Sequence, residues 1–145
     1  MRVLLQRVTS GRVSKKEESI AEIDNGLVIL LGIGPDDGEE QANYLAKKIA
    51  NLRIFEDETG KINRSLLDTG GEAIVVSQFT LYADTSKGRR PSFTDAASPE
   101  LARPLVNRFA EILISEGVPT QTGEFGAHML VEITNNGPVT IWMER

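Results

Sequence analysis

Leu27-Val28-Ile29-Leu30-Leu31-Gly32-Ile33 is followed by Gly34-Pro35-Asp36-Asp37-Gly38, and then by a segment from Glu39 to Leu52 with a different rhythm. The first run is apolar at every position, as expected of a strand whose two faces are both covered. Glycine and proline break the chain after it, and an aspartate there is placed to cap a helix. In the third segment Ala42, Leu45, Ala46, Ile49 and Leu52 fall on one helical stripe, with Lys47 and Lys48 facing outward. A covered strand, a break and an amphipathic helix in succession predict an α/β domain.

The flanking sequence extends that reading. Arg2 to Val8 reads as a strand, Ser10-Gly11 as a turn into a second extended piece, and Asp24-Asn25-Gly26 as a hairpin turn. Arg53-Ile54-Phe55-Glu56 looks like a short strand, Asp57 to Gly60 a turn, and Asn63 to Gly71 an irregular loop. Glu72 to Leu81 contains the buried-strand run Ala73-Ile74-Val75-Val76 and continues straight into Ser77-Gln78-Phe79-Thr80-Leu81. Ser98-Pro99-Glu100 opens a second helix, with a hydroxyl cap, proline in the first turn and an acid near the positive end of the dipole. Its stripe of Leu101, Leu105, Phe109, Ile112 and Leu113 runs to Gly117. Pro104 removes an internal hydrogen bond, which predicts a kink there or a regular part beginning near Arg103. Met129 to Thr134 alternates, and it is expected to pair with Val139 to Met143 across Asn135-Asn136-Gly137-Pro138. The order predicts one domain over 1–145, with mixed β-sheets and two main helices packed on one side.

Composition excludes whole classes of chemistry. At 145 residues the chain buries roughly 70% of its unfolded surface, enough for a core without staples. There are no cysteines, so disulfides, thiolate metal sites and cysteine nucleophiles are impossible. One histidine, His128, excludes a two-histidine zinc site within one chain, and no metal or cofactor is expected. A net charge of −5 means that any contact with nucleic acid comes from a local basic patch. No apolar run approaches a bilayer span and the N-terminus lacks a signal-peptide pattern, so cytoplasm is the expected compartment.

Standard site motifs mostly fail. Gly32-Ile33-Gly34-Pro35 is no dinucleotide fingerprint, because proline and two aspartates follow where a helix N-terminus should receive phosphate. A serine–histidine–acid triad could use only His128, and a lone histidine beside a strand is the commoner meaning. Ser77, Gln78 and Thr80 cluster where an apolar strand ends, and alternation would place Ser77 and Phe79 on one face. Such a strand end can present main-chain N–H groups to a substrate, or be an ordinary satisfied terminus. Gly137-Pro138 reads as a hairpin turn, and equally as a tip suited to presenting carbonyls, with no side chain at one position and no N–H at the next. Lys87-Gly88-Arg89-Arg90-Pro91 is the densest basic cluster, either a solvated loop or a hold on a phosphate backbone.

Two of these segments together, Ser77-Gln78-Phe79-Thr80-Leu81 and Asn135-Asn136-Gly137-Pro138-Val139-Thr140, resemble the signature motifs of the D-aminoacyl-tRNA deacylases. The likeness spans nearly the whole chain, through Gln6-Arg7-Val8, Gly60-Lys61-Ile62-Asn63, Arg90-Pro91-Ser92-Phe93 and Gln121-Thr122-Gly123. What it implies is a homodimer that hydrolyses the ester between a D-amino acid and the terminal adenosine of tRNA. The aminoacyl-tRNA 3′ end is then the partner, in a site shared across the dimer. The resemblance further implies a cis Gly137-Pro138 peptide reaching into the other subunit's pocket, with two carbonyl oxygens at the chiral centre. Arg7 would fix that loop, Ser77, Gln78, Phe79 and Thr80 would line the adenosine and ester side, and Met129 would sit near the same pocket. His128 departs from the family, in which many members carry an acid there.

The chemistry expected from this resemblance needs no protein base. The neighbouring 2′-hydroxyl assists water, and the Phe79 N–H is the expected oxyanion donor. Thr80 as a nucleophile is the competing proposal and would need an activating base. A backbone wall against the L side chain discriminates by repulsion, and it admits glycine, so activity on glycyl-tRNA is expected too. Two other readings stand beside it: a nucleic-acid-binding dimer without turnover, and a hydrolase of small esters that uses Ser77 or Thr80 conventionally.

Overall fold

The computed structural model describes all residues, 1–145. Its elements in chain order are β1 (Arg2–Lys15), β2 (Glu18–Ile23), β3 (Gly26–Gly32), α1 (Glu39–Asn51), β4 (Phe55–Glu56), β5 (Ile62–Arg64), α2 (Leu66–Thr69), β6 (Glu72–Ser77), a 3₁₀ turn (Phe79–Tyr82), α3 (Pro99–Ser115), β7 (Thr120–Thr122) and β8 (Leu130–Glu144). The main sheet is mixed. β3 pairs antiparallel with β1 and parallel with β6, and β6 pairs parallel with β7.

The apolar run from Leu27 to Leu31 lies in β3, in the middle of this sheet. Its Leu27, Ile29 and Leu31 are completely buried against α1 and α3, which lie together on one side with Leu45, Ile49 and Phe109. Burying each such side chain contributes about 1.5–3 kcal/mol. The other face of β3 is covered as well. Val28 packs with Ile74 and Val76 against Val8 and Val13 of β1 and Ile23 of β2. β1 thus serves two layers, sending Val3 and Leu5 to the helices and Val8 and Val13 to the second cluster. The Gln121 side chain joins β7 to β2, donating to the Glu22 carbonyl at 2.6 Å and accepting its N–H at 3.0 Å.

Several local expectations are corrected by long-range pairing. Ser10-Gly11 is no turn, because β1 runs through it as far as Lys15. Asn25-Gly26 does turn the chain, yet β2 and β3 are not hairpin partners, since both pair with β1. The glycine answers to a different demand: a Cβ on Gly26 would lie 1.9 Å from the Glu72 carbonyl oxygen of β6. Asp37 does not cap α1, whose N-cap is Gly38. Instead its carboxylate accepts from the Met1 amino group, the Gly34 N–H and the Tyr82 hydroxyl. Burial and that carboxylate push the Tyr82 phenol well above its usual range, so it remains a donor.

Asn63 to Gly71 is ordered, with β5 and then α2, whose Ser65 and Asp68 form a reciprocal capping box. α3 begins at Pro99 and continues across Pro104, so its regular part does not wait for Arg103. β6 stops at Ser77 and the chain winds into the 3₁₀ turn, which removes the expected alternation of Ser77 to Thr80. Finally, Met129–Thr134 and Val139–Met143 do not pair with each other. β8 carries both stretches from Leu130 onward, and it pairs antiparallel with β1 as far as Glu144.

Candidate active site

β8 departs from its regular register with β1 at two places, and the wider one lies opposite Arg7. Val8 pairs with Asn135 and Gln6 with Thr140, so Asn136 to Val139 bulge out opposite Arg7. The residues there explain how the bulge is held. Asn135 Oδ1 accepts the Val139 N–H at 3.0 Å, and its Nδ2 donates to Thr140 Oγ1 at 3.0 Å, closing the excursion from inside. The Gly137-Pro138 peptide bond is cis, and Gly137 has φ +116°. A Cβ on Gly137 would meet Arg7 Nη2 at 2.8 Å and Val139 Cγ2 at 3.0 Å, so both conformation and space require glycine. Beneath it Arg7 is 3% exposed. Its Nη1 donates to the Ile54 carbonyl at 2.7 Å, and its Nη2 lies 3.5 Å from the Glu56 carboxylate.

The second region is a cleft of about 580 Å³ where β6 ends beside α3, a size suited to a small-molecule group. Ser77, Gln78 and Phe79 form part of its wall, with Phe93, Phe125 and Met129 around them. Gln78 is anchored on both sides: its N–H donates to the Leu31 carbonyl at 2.8 Å and its carbonyl accepts the Leu81 N–H at 3.2 Å. Its side-chain amide donates to Thr80 Oγ1. Phe79 opens the 3₁₀ turn, where no earlier turn supplies an acceptor for its N–H. His128 is the one ionisable residue lining this cleft, and no carboxylate lines it.

The eight predicted site residues therefore fall into two groups. Ser77, Gln78, Phe79 and Met129 share the cleft, and Thr80 is bonded to Gln78 beside it. Arg7, Gly137 and Pro138 share the bulge and are absent from the cleft lining. Both groups hang on β1. Arg2 Nη1 donates to the Leu81 carbonyl at 3.0 Å, while Arg7 Nε donates to the Asn136 carbonyl at 3.2 Å. Five residue steps of extended strand separate these anchors, roughly 17 Å. Phe125, Ala96 and Ala97 of the lining carry no signal in the sequence, whereas Phe93 stands inside the family-like segment Arg90-Pro91-Ser92-Phe93.

The family model described as D-Tyr-tRNA(Tyr) deacylase matches residues 4–144. The chain belongs to that family. Similar members include a D-aminoacyl-tRNA deacylase of Thermomicrobium roseum, 58% identical over 144 residues that cover 99% of this chain and 94% of that one. Another, of Limosilactobacillus reuteri, is 52% identical over the full length of both. Among solved structures, a protein named c-Myc DNA Unwinding Element Binding Protein superimposes with a TM-score of 0.94 at 41% identity, covering 100% of this chain and 99% of that one. A probable eukaryotic D-amino acid tRNA deacylase shares the fold, with a TM-score of 0.83 at 17% identity over 98% of this chain and 97% of that one. The α/β architecture with its mixed sheet is thus that of the deacylase family.

Proposed function

We propose that this chain hydrolyses the ester joining a D-amino acid to the terminal adenosine of tRNA. The observation that carries the reading is a cleft walled by Ser77, Gln78 and Phe79 in a chain whose relatives are named D-aminoacyl-tRNA deacylases. Water attacks the ester carbonyl, the bond to the ribose oxygen breaks, and the proton passes to that oxygen. The 2′-hydroxyl beside it assists the water, while the Phe79 N–H receives the developing oxyanion. The cleft holds no carboxylate, and the one hydrogen bond of the Thr80 hydroxyl is to the Gln78 amide, a donor and not an activating base, which supports this route over Thr80 as a nucleophile.

Chiral selection is assigned to Gly137 and Pro138 of a partner subunit in a homodimer, placed at the mouth of the cleft. Within one chain the two anchoring residues, Arg2 and Arg7, stand roughly 17 Å apart along β1 and neither Gly137 nor Pro138 lines the cleft, which supports a site shared between subunits. Arg7 and Asn135 brace the tip, and a braced backbone wall excludes an L side chain by repulsion. Glycine has no side chain to exclude, so glycyl-tRNA, including tRNA-Ala mischarged with glycine, is a substrate as well. The expected setting is the cytoplasm; no helix is long and apolar enough to cross a membrane.

The test is hydrolysis of D-tyrosyl-tRNA against L-tyrosyl-tRNA. Faster loss of the D-ester is expected, and equal rates would end the reading. A second reading, nucleic-acid binding without turnover, is favoured by one observation: the solved structure at 41% identity is named for binding a DNA unwinding element. It predicts retention of the RNA with neither ester cleaved. A conventional small-ester hydrolase predicts that replacing the terminal 2′-hydroxyl with hydrogen leaves the rate intact, where the proposed route predicts collapse.

A further inference from the structure

The basic side chains are unequally placed in a chain of net charge −5. On the outer strand and helix faces, Arg2, Arg12, Lys47 and Arg108 each lie within ion-pair distance of a carboxylate. Lys87, Arg89 and Arg90 do not. They sit in an exposed loop whose base is closed by two hydrogen bonds exchanged between Asp84 and Ser92, at 2.8 and 2.9 Å. One residue beyond that base, Phe93 lines the cleft and meets Phe79 edge-on, with centroids 5.0 Å apart. Both rings face solvent, Phe93 38% and Phe79 54% exposed. Elsewhere on the cleft, the Arg103 guanidinium of α3 lies over the lining ring of Phe125 at 4.7 Å, also without a carboxylate partner.

The carboxylates nearby make no ion pair with this set. Asp84 accepts the Ser86 N–H, Glu124 is paired with Lys15, Glu100 stands in the first turn of α3, and Asp95 lies three residues beyond the base of the loop. Unpaired cations beside exposed rings are the combination that holds single-stranded nucleic acid, with phosphates on the charges and unstacked bases on the rings. A duplex would leave the rings unused, since its bases are already stacked.

We infer that Lys87, Arg89, Arg90 and Arg103, together with the Phe79–Phe93 pair, hold the single-stranded 3′ arm of an RNA as its end enters the cleft. This rests on the proposed function for the identity of the arm. The nucleotides concerned are those preceding the terminal adenosine, which carry the phosphates.

The test uses the full chain and its triple variant Lys87→Ala/Arg89→Ala/Arg90→Ala, with Lys47→Ala/Lys48→Ala on the outer face of α1 as the control. A fluorescent single-stranded RNA ending in CCA is titrated by anisotropy across a salt series. With about −0.7 in slope per phosphate contact, losing three cations flattens the plot of log affinity against log salt by about 2, and the control leaves it unchanged. In kinetics, the triple variant's loss of kcat/KM on D-tyrosyl-tRNA exceeds its loss on D-tyrosyl-adenosine, which has no phosphate, by about tenfold or more. Equal losses on the two substrates, an unchanged salt slope, or tighter binding of polyglutamate than of the RNA would each overturn the inference. If the wild-type chain cleaves neither ester, the deacylase reading falls, and the anisotropy series still decides this one.

Discussion

Arg7 Nε donates to the Asn136 carbonyl at 3.2 Å, tying the middle of β1 to the widest departure of β8 from it. The same guanidinium reaches the Ile54 carbonyl and the Glu56 carboxylate, so three segments distant in sequence meet on one side chain. Lysine keeps the charge but has no planar fork. Arg7→Lys is expected to lower stability by about 1–3 kcal/mol through an unpaired buried carbonyl, read from urea midpoints. It should also loosen the tip, reducing kcat/KM on D-tyrosyl-tRNA. A variant as stable and as active as wild type would show that the fork is dispensable.

Gly137→Ala places a methyl 2.8 Å from Arg7 Nη2, in a conformation with φ +116°. Strain of this kind costs about 1–3 kcal/mol, so the melting temperature falls by some degrees while the chain still folds. Displacing a positioning element by about 1 Å can cost about 100-fold in rate, and a loss of that order on D-tyrosyl-tRNA is expected. Global unfolding by circular dichroism would mark the tip as a purely structural turn.

Thr80→Val removes the hydroxyl that accepts from Gln78 and keeps the volume. With water as the attacking group, kcat should fall less than about tenfold, by analogy with the loss of one neutral hydrogen bond. A drop on the order of a millionfold, typical of losing a catalytic serine, would restore Thr80 as nucleophile.

The Asp84 carboxyl is held below the usual aspartate range, chiefly by the Ser86 N–H. A lowered value in the folded state means that the contribution is complete above about pH 4 and is lost as pH falls through the lowered value. Following the Ser86 amide by NMR during acid titration should give a midpoint below that of an aspartate in a short peptide. A midpoint at or above the peptide's would remove this support for the base of the basic loop.

Ser65→Ala deletes one half of the box that starts α2, where Ser65 Oγ accepts the Asp68 N–H and is itself nearly buried. The expected cost is about 1 kcal/mol, visible in a denaturation curve and absent from kcat. An unchanged midpoint would mean that the short helix is held by Leu66 alone.

What is legible in the sequence, and what is not, follows from how local each signal is. β3 and α1 are legible because full burial and a helical stripe are written within a dozen residues of Leu27 and Ala42. Asn25-Gly26 marks a turn correctly and its partners wrongly, because β1 intervenes from elsewhere in the chain. Asn135-Asn136-Gly137-Pro138 has the composition of a hairpin, yet the bonds of Asn135 to Val139 and Thr140 fold it into a bulge within one strand. The cleft draws Phe125 and Ala97 from segments with no chemistry of their own. Ser77 to Phe79 stand out because polar groups at the end of a greasy strand are conspicuous.

One strand carries both anchors, Arg2 toward the 3₁₀ turn and Arg7 toward the tip. The interval between them is therefore a ruler made of covalent bonds, indifferent to how loops elsewhere are rewritten. Deleting one residue between Val3 and Gln6 would shorten it by about 3.4 Å and turn every later side chain of β1 inside out. Loops elsewhere can change length without altering that span, whereas the number of rungs from Arg2 to Arg7 is fixed by what hangs at each end.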